Sequence, residues 1–177
     1  MELDLFYIIG QLLGAVAVAF GFIAFQRKTQ LGIIIFQCAA ALVFSVHYLL
    51  ISAPTAVVLN LLSAFICVCF GFRNKRQSKS KVEAIVSSLL IIIAGAFAWE
   101  NIYSVFLISG LVLNAVSLSF SNPQNTRRAM LIKSPLCMIY NLAVASMGGI
   151  VFECAVFISA VIGLIKNKSQ NTESKVK

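Results

Sequence analysis

Apolar residues fill this chain in seven long runs separated by short polar breaks. The runs are Leu5–Phe25, Leu31–Ile51, Pro54–Phe72, Val82–Ala98, Ile102–Phe120, Arg128–Met147 and Gly148–Ile165. A helix crosses the hydrocarbon core of a bilayer with about 20 residues, so each run predicts a transmembrane helix. The breaks carry their own signals. "FQRKTQ" and "FRNKRQSKSK" are charged, and "SAPT" puts Pro54 at a helix start, where its missing N–H costs little. "SNPQNTRR" joins a proline to polar turn residues, and "SMGG" reads as a tight turn. The predicted fold class is an all-α, polytopic membrane protein with seven transmembrane helices.

Composition agrees. Of 177 residues, 60% are hydrophobic and 11% charged, against about 45–50% and about 25% in soluble domains. The first residues, MELDLF, hold no Lys or Arg, so the first run lacks a basic n-region and is expected to stay as a span. The breaks after the first, third and fifth runs, with the C-terminal tail, carry all 14 Lys and Arg when Lys133 is read as snorkelling to that side. The opposite side has Glu2, Asp4 and Glu100. The positive-inside rule then puts the C-terminus in the cytoplasm and the N-terminus in the periplasm. The net charge of +8 is explained by short loops facing anionic headgroups, which leaves the lipid bilayer as a partner and no role for nucleic acid.

The end of the chain echoes its first third. "HYLLISAPTAVVLN" (47–60) aligns without gaps to "YNLAVASMGGIVFE" (140–153), each the end of one span, a short turn and the start of the next. Asn60 falls opposite Glu153, and further upstream "FQRK" (25–28) is matched with "PQNT" (123–126). Spans one to three and five to seven thus read as two three-helix repeats, about 5–75 and 102–167. An odd unit repeated directly would arrive inverted. The linker helix at about 80–99 restores its orientation and makes the repeats parallel, a 3+1+3 plan. The whole transmembrane domain spans 1–167, and 168–177 is a polar cytoplasmic tail expected to be disordered.

Polar residues deep in the spans are the candidate chemistry. With a rise of about 1.5 Å per residue, Glu153 lies about 8 Å below the end of its span. Asn60 and Gln11 lie at about 9 Å, His47 at about 6 Å, and Tyr140 and Asn141 at about 9–10 Å. Asn114 sits nearer the midplane. An ionised side chain at a helix centre costs about 2.5–3.5 kcal/mol on insertion scales, and ionisable residues within spans point to function by default. Glu153 is therefore expected to face a shared polar cavity with His47 and Asn141 as neighbours. Simpler roles compete. Asparagines hydrogen-bond neighbouring helices, and Gly148 and Gly149 are read as turn formers. Trp99, Tyr7, Tyr48 and Tyr103 fit an aromatic belt at the membrane surface. The five cysteines fall within spans and read as small apolar residues. Cys67 and Cys69 point to different helix faces and make a poor metal chelate.

"SVHYLLISAPTAVVLN" and "IYNLAVASMGGIVFE" resemble the two most recognisable stretches of the bacterial inner membrane protein YgjV family. The residues that carry the resemblance are His47, Asn60, Tyr140, Asn141, Ser146, Gly148, Gly149 and Glu153, and it extends from about residue 7 to 168. Some members have an Arg where this chain has Ser63. The resemblance implies an inner-membrane location and an architecture, without a substrate. The 3+1+3 plan is also similar to that of SWEET and PQ-loop transporters, and "PQ" stands at Pro123-Gln124.

The leading functional reading is a small-molecule transporter, proton-coupled or taking a cation-type solute at Glu153 with His47. The alternative is a non-transporting membrane protein (a receptor, lipid-binding protein or assembly subunit) on the same fold, and a homo-oligomer is compatible with either. No metal-ligand spacing, cofactor motif or nucleophile–base pair appears, and the loops are too short for a soluble catalytic domain, so no enzyme is expected. The only Trp lies at the end of the fourth span, which leaves a sugar without its usual aromatic platform.

Overall fold

The computed structural model describes residues 5–75 and 82–176, apart from the side chains of 6, 7, 74, 75 and 167–176. The described residues form seven helices: α1 Leu5–Gln26, α2 Gln30–Leu50, α3 Pro54–Lys75, α4 Val82–Phe97, α5 Ser104–Leu118, α6 Pro123–Ala143 and α7 Met147–Val176. Within α1, α2, α3 and α7 lie segments long and apolar enough to cross a membrane. Helices α4 and α5 are apolar but shorter, at 16 and 15 residues. The basic residues Arg76, Lys79 and Lys81, assigned from sequence to the α3–α4 connection, lie outside the described residues.

Each turn forms for a local reason. Thr29 caps α2 by accepting a hydrogen bond from Gly32 N at 3.1 Å. Asn122 does the same for α6 through Gln124 N at 2.9 Å, with Pro123 in the first turn. The α2–α3 and α6–α7 turns are the same structure built twice. Ser52 and Ala145, 93 positions apart, both have left-handed backbone, with φ of 58° and 52°. Ala53 N donates to Tyr48 O at 3.0 Å, as Ser146 N does to Asn141 O at 2.9 Å. Ser52 N donates to Leu49 O, as Ala145 N does to Leu142 O. That pair of bonds is the Schellman ending, here with Ser and Ala in place of glycine.

The shift of 93 runs from the end of the first helix of each repeat to the start of the third. It maps Gln30 to Pro123, Leu50 to Ala143, Pro54 to Met147 and Gln26 to Ser119, the C-cap of α5. The cap Thr29 therefore corresponds to Asn122, which corrects the pairing of "FQRK" with "PQNT" by five residues. The same cap moves the start of α6 five residues ahead of the expected Arg128, and the helix runs on through Pro135 to Ala143. Helix α7 also departs from expectation, continuing to Val176 through the polar tail, where Lys, Gln and Glu are good helix formers.

The helices close into a ring in the order α1, α2, α3, α5, α6, α7 and back to α1, with α4 outside against α5 and α3. The third helix of each repeat thus packs on the first helix of the other. The ring turns apolar side chains outward and buries several polar ones among its apolar core. Leu42, Leu61, Phe65 and Ile132 are at least half exposed, whereas His47, Ser146, Arg127 and Glu153 are buried. At α1–α7 the backbones touch. A Cβ on Gly148 would stand 2.9 Å from Gly14 Cα, so Gly148 serves close packing and Ala145 makes the turn.

Two arginines of the basic face also point inward. Arg127 donates to Phe25 O at 3.0 Å and to Arg27 O, beyond the end of α1. Arg73 donates to Leu118 O at 3.1 Å, at the end of α5, and pairs with Glu83 at 3.2 Å. Phe25 and Leu118 are 93 positions apart, so both first helices have their final carbonyls capped by a cation, the charge a helix C-terminus favours.

Candidate functional site

The centre of the ring holds a cavity of about 60 Å³, room for several waters. Its lining is built from the repeat. Gln37 and Met130, Ala40 and Lys133, Phe44 and Cys137, Tyr48 and Asn141, Asn60 and Glu153, and Ser63 and Val156 all face it. Each pair is separated by 93 positions. Tyr48 Oη donates directly to Asn141 Oδ1, so two equivalent residues touch one another. That is possible only on the axis relating the repeats, and the cavity therefore lies on it.

Charge enters from one repeat alone. Lys133 Nζ bonds Glu153 Oε1, with side-chain exposures of 8% and 5%. The ammonium also sits 5.5 Å from the centre of the Phe152 ring. Phe152 packs edge-on against Phe44 at 4.6 Å. The room for Phe152 comes from Gly21 of α1, where a Cβ would fall 2.2 Å from the ring. Across the pair, Gln37, Asn60, Ser63 and Asn114 supply neutral polar groups. Asn60 Nδ2 returns to Ala56 O at 2.8 Å on its own helix. Among the described residues, the buried atoms Glu153 Oε2, Asn114 Oδ1 and Gln37 Nε2 find no hydrogen-bond partner.

The chain matches the model of the Imp-YgjV family, described as a bacterial inner membrane protein, over residues 8–171. The chain belongs to this family. The Imp-YgjV match takes in both repeats, α4 and every residue of the cavity. No curated protein and no solved structure matches the chain. Its location is accordingly a membrane, in a family of bacterial inner membrane proteins.

The sequence-derived candidates divide into two groups. Glu153, Asn60, Asn114 and Asn141 line the cavity. Gln11, His47 and Tyr140 belong to a closure between the cavity and the α2–α3 and α6–α7 turns. Gln11 Oε1 accepts from Gly148 N at 2.8 Å. Tyr140 Oη donates to Glu100 at 3.1 Å. His47 is fully buried, with Nδ1 2.7 Å from Gly10 O and Nε2 2.8 Å from Ser146 Oγ. A carbonyl only accepts, so Nδ1 carries the proton in the neutral ring and Nε2 accepts from the serine hydroxyl. Ser146 Oγ in turn accepts from Gly149 N at 3.0 Å. His47 thereby pins α1 and α2 to the start of α7 and is not a partner of Glu153.

Three expectations are corrected here. Lys133 does not snorkel. With α6 starting at Pro123, it lies ten residues in, about 15 Å along the helix, where only the cavity offers it a counter-charge. Tyr140 and Asn141 are shallower than expected, about 3–5 Å from the end of α6, because that helix stops at Ala143. Tyr48 is 4% exposed and belongs to the axis, not to an aromatic belt. Trp99 and Tyr103 are exposed, as a belt requires, and Tyr7's side chain lies outside the described residues.

Proposed function

We propose that this protein is a proton-coupled transporter of a small polar solute, with the cavity on the pseudo-twofold axis as its site. One observation carries the reading: a buried Lys133–Glu153 ion pair faces a central cavity lined by equivalent positions of two parallel repeats, several of them polar. Proton-carrying carboxylates within membranes sit in such places, and a site at a repeat interface is where alternating access acts. Residues bound the cavity towards each membrane surface. Towards the turns are the Tyr48–Asn141, Gln11–Gly148 and His47–Ser146 bonds. Towards the basic face are Phe25 and Met130, backed by Arg127. Protonation of Glu153 would free Lys133 and weaken the tie between α6 and α7. Lys133 also removes the net negative charge on which a cation-type solute rested, so the proton-coupled half of that reading is the one retained.

The test is reconstitution into liposomes enclosing a pH-sensitive dye, with a panel of small polar solutes outside. The reading requires solute-dependent acidification that Glu153→Gln abolishes. Equal acidification by Glu153→Gln would remove the proton-handling role. Absence of flux for every solute, with protein folded and inserted, would favour the non-transporting alternative.

A further inference from the structure

The hydrogen-bonding groups left open on the cavity wall describe their ligand. Glu153 Oε2 and Asn114 Oδ1 are buried acceptors without a donor, and Gln37 Nε2 is a buried donor without an acceptor. They come from α7, α5 and α2, three helices that line the same cavity. A buried polar atom left unpaired is expensive, and three on one small cavity are satisfied together by an occupant that offers two donors and one acceptor. Size sets the second constraint, since about 60 Å³ admits a molecule of only a few non-hydrogen atoms. Charge sets the third. Lys133 and Glu153 already neutralise each other, so an ion entering the site would be a buried, unpaired charge.

We infer that the site takes a small uncharged primary amide or urea-like molecule, its N–H groups donated to Glu153 Oε2 and Asn114 Oδ1 and its carbonyl accepting from Gln37 Nε2. This rests on reading the cavity as a solute site, but it concerns recognition rather than movement. A donor-free analogue of the same shape leaves both acceptors open and is rejected. A carboxylate of the same size brings charge and no N–H. Ordered water could meet the same groups, and the test separates that case from ligand binding.

The experiment is saturation-transfer NMR on the purified full-length protein in lipid nanodiscs, observing the methyl group of acetamide. Acetamide should show transfer, whereas acetone, its donor-free isostere, and acetate at equal concentration should not. Asn114→Leu and Gln37→Met each remove one group on separate helices, and each should weaken acetamide binding roughly tenfold. Thermal unfolding confirms which variants are folded, and either one folded suffices. No acetamide signal with folded wild-type protein means that water alone fills the site, and overturns the inference. Equal signals from acetone or acetate, or unchanged binding in a folded variant, overturn it as well. Binding is read at equilibrium, so acetamide binding without liposome flux keeps this inference and sinks the transporter, and flux of another solute without acetamide binding does the reverse.

Discussion

Removing one member of the Lys133–Glu153 pair should destabilise the protein in a manner set by pH, with opposite sign for the two partners. In Lys133→Met the carboxylate is left buried without its cation. Its cheapest escape is to take up a proton. From the usual carboxyl value of about 4.3, neutralisation at pH 7 costs about 3.7 kcal/mol, at about 1.36 kcal/mol per unit. In Glu153→Gln the ammonium must lose its proton, which from about 10.4 costs about 4.6 kcal/mol at pH 7. Both figures are upper limits and fall within the range of roughly 3–5 kcal/mol found for breaking a buried pair. The unfolded Lys133→Met chain titrates near its ordinary value while the folded one holds the proton. Its penalty therefore shrinks as pH falls from 7 towards 4.3. For Glu153→Gln the folded state is short of a proton, so the penalty shrinks as pH rises towards 10. The double variant has neither charge and should lie within about 1–2 kcal/mol of wild type, on either side. The assay is unfolding in mild detergent at acidic, neutral and alkaline pH. Single variants with penalties flat in pH, or a double variant equal to the sum of the singles, would refute a buried ion pair.

Three further predictions use different parts of the molecule. Ala145→Gly should raise stability by about 1 kcal/mol, since a left-handed backbone burdens alanine and not glycine, and the same unfolding measurement reads it. Tyr48→Phe leaves Asn141 Oδ1 without its donor and should cost about 1–3 kcal/mol in that assay. A reporter fused after Lys177 should read cytoplasmic, and one inserted at Glu100–Asn101 periplasmic, since the basic residues gather on one side; both on the same side would break the seven-span topology.

The run lengths and charge breaks made the helices legible, and the fourteen-residue alignment made the repeat legible. Both rest on physics local to the chain, and the identical Schellman turns at Ser52 and Ala145 show why the alignment held over that stretch. The ion pair was not legible, for a reason that can be traced. Reading α6 from Arg128 put Lys133 one turn and a half from the membrane surface, within reach of snorkelling. Asn122-Pro123 is a cap followed by a first-turn proline, and that signal lay in "SNPQNTRR". Taken as a helix start, it moves Lys133 to the middle of the span and obliges it to find a carboxylate. Glu153, on the adjoining helix, is then the natural partner. His47 was misplaced for another reason. Depth along a helix can be counted from sequence, but the direction a side chain takes around the ring depends on packing such as the Gly14–Gly148 contact, which no period along the chain encodes.

The repeats share their turns and register around the cavity but differ in chemistry, and that inequality bears on mechanism. Positions 40 and 60 of the first repeat hold Ala and Asn, and their counterparts 133 and 153 hold Lys and Glu. If the repeats rock about the Tyr48–Asn141 contact, the charge pair travels with one of them while Gln37, Asn60 and Ser63 travel with the other. Rocking then changes the distance between the charges and the neutral groups facing them, not the distance between the charges. A symmetric pair, one charge on each repeat, would instead be pulled apart by every opening, at the expense of a buried ion pair. Under such rocking, placing both charges on one repeat would keep them together, so that a proton on Glu153, rather than the rocking itself, would separate them.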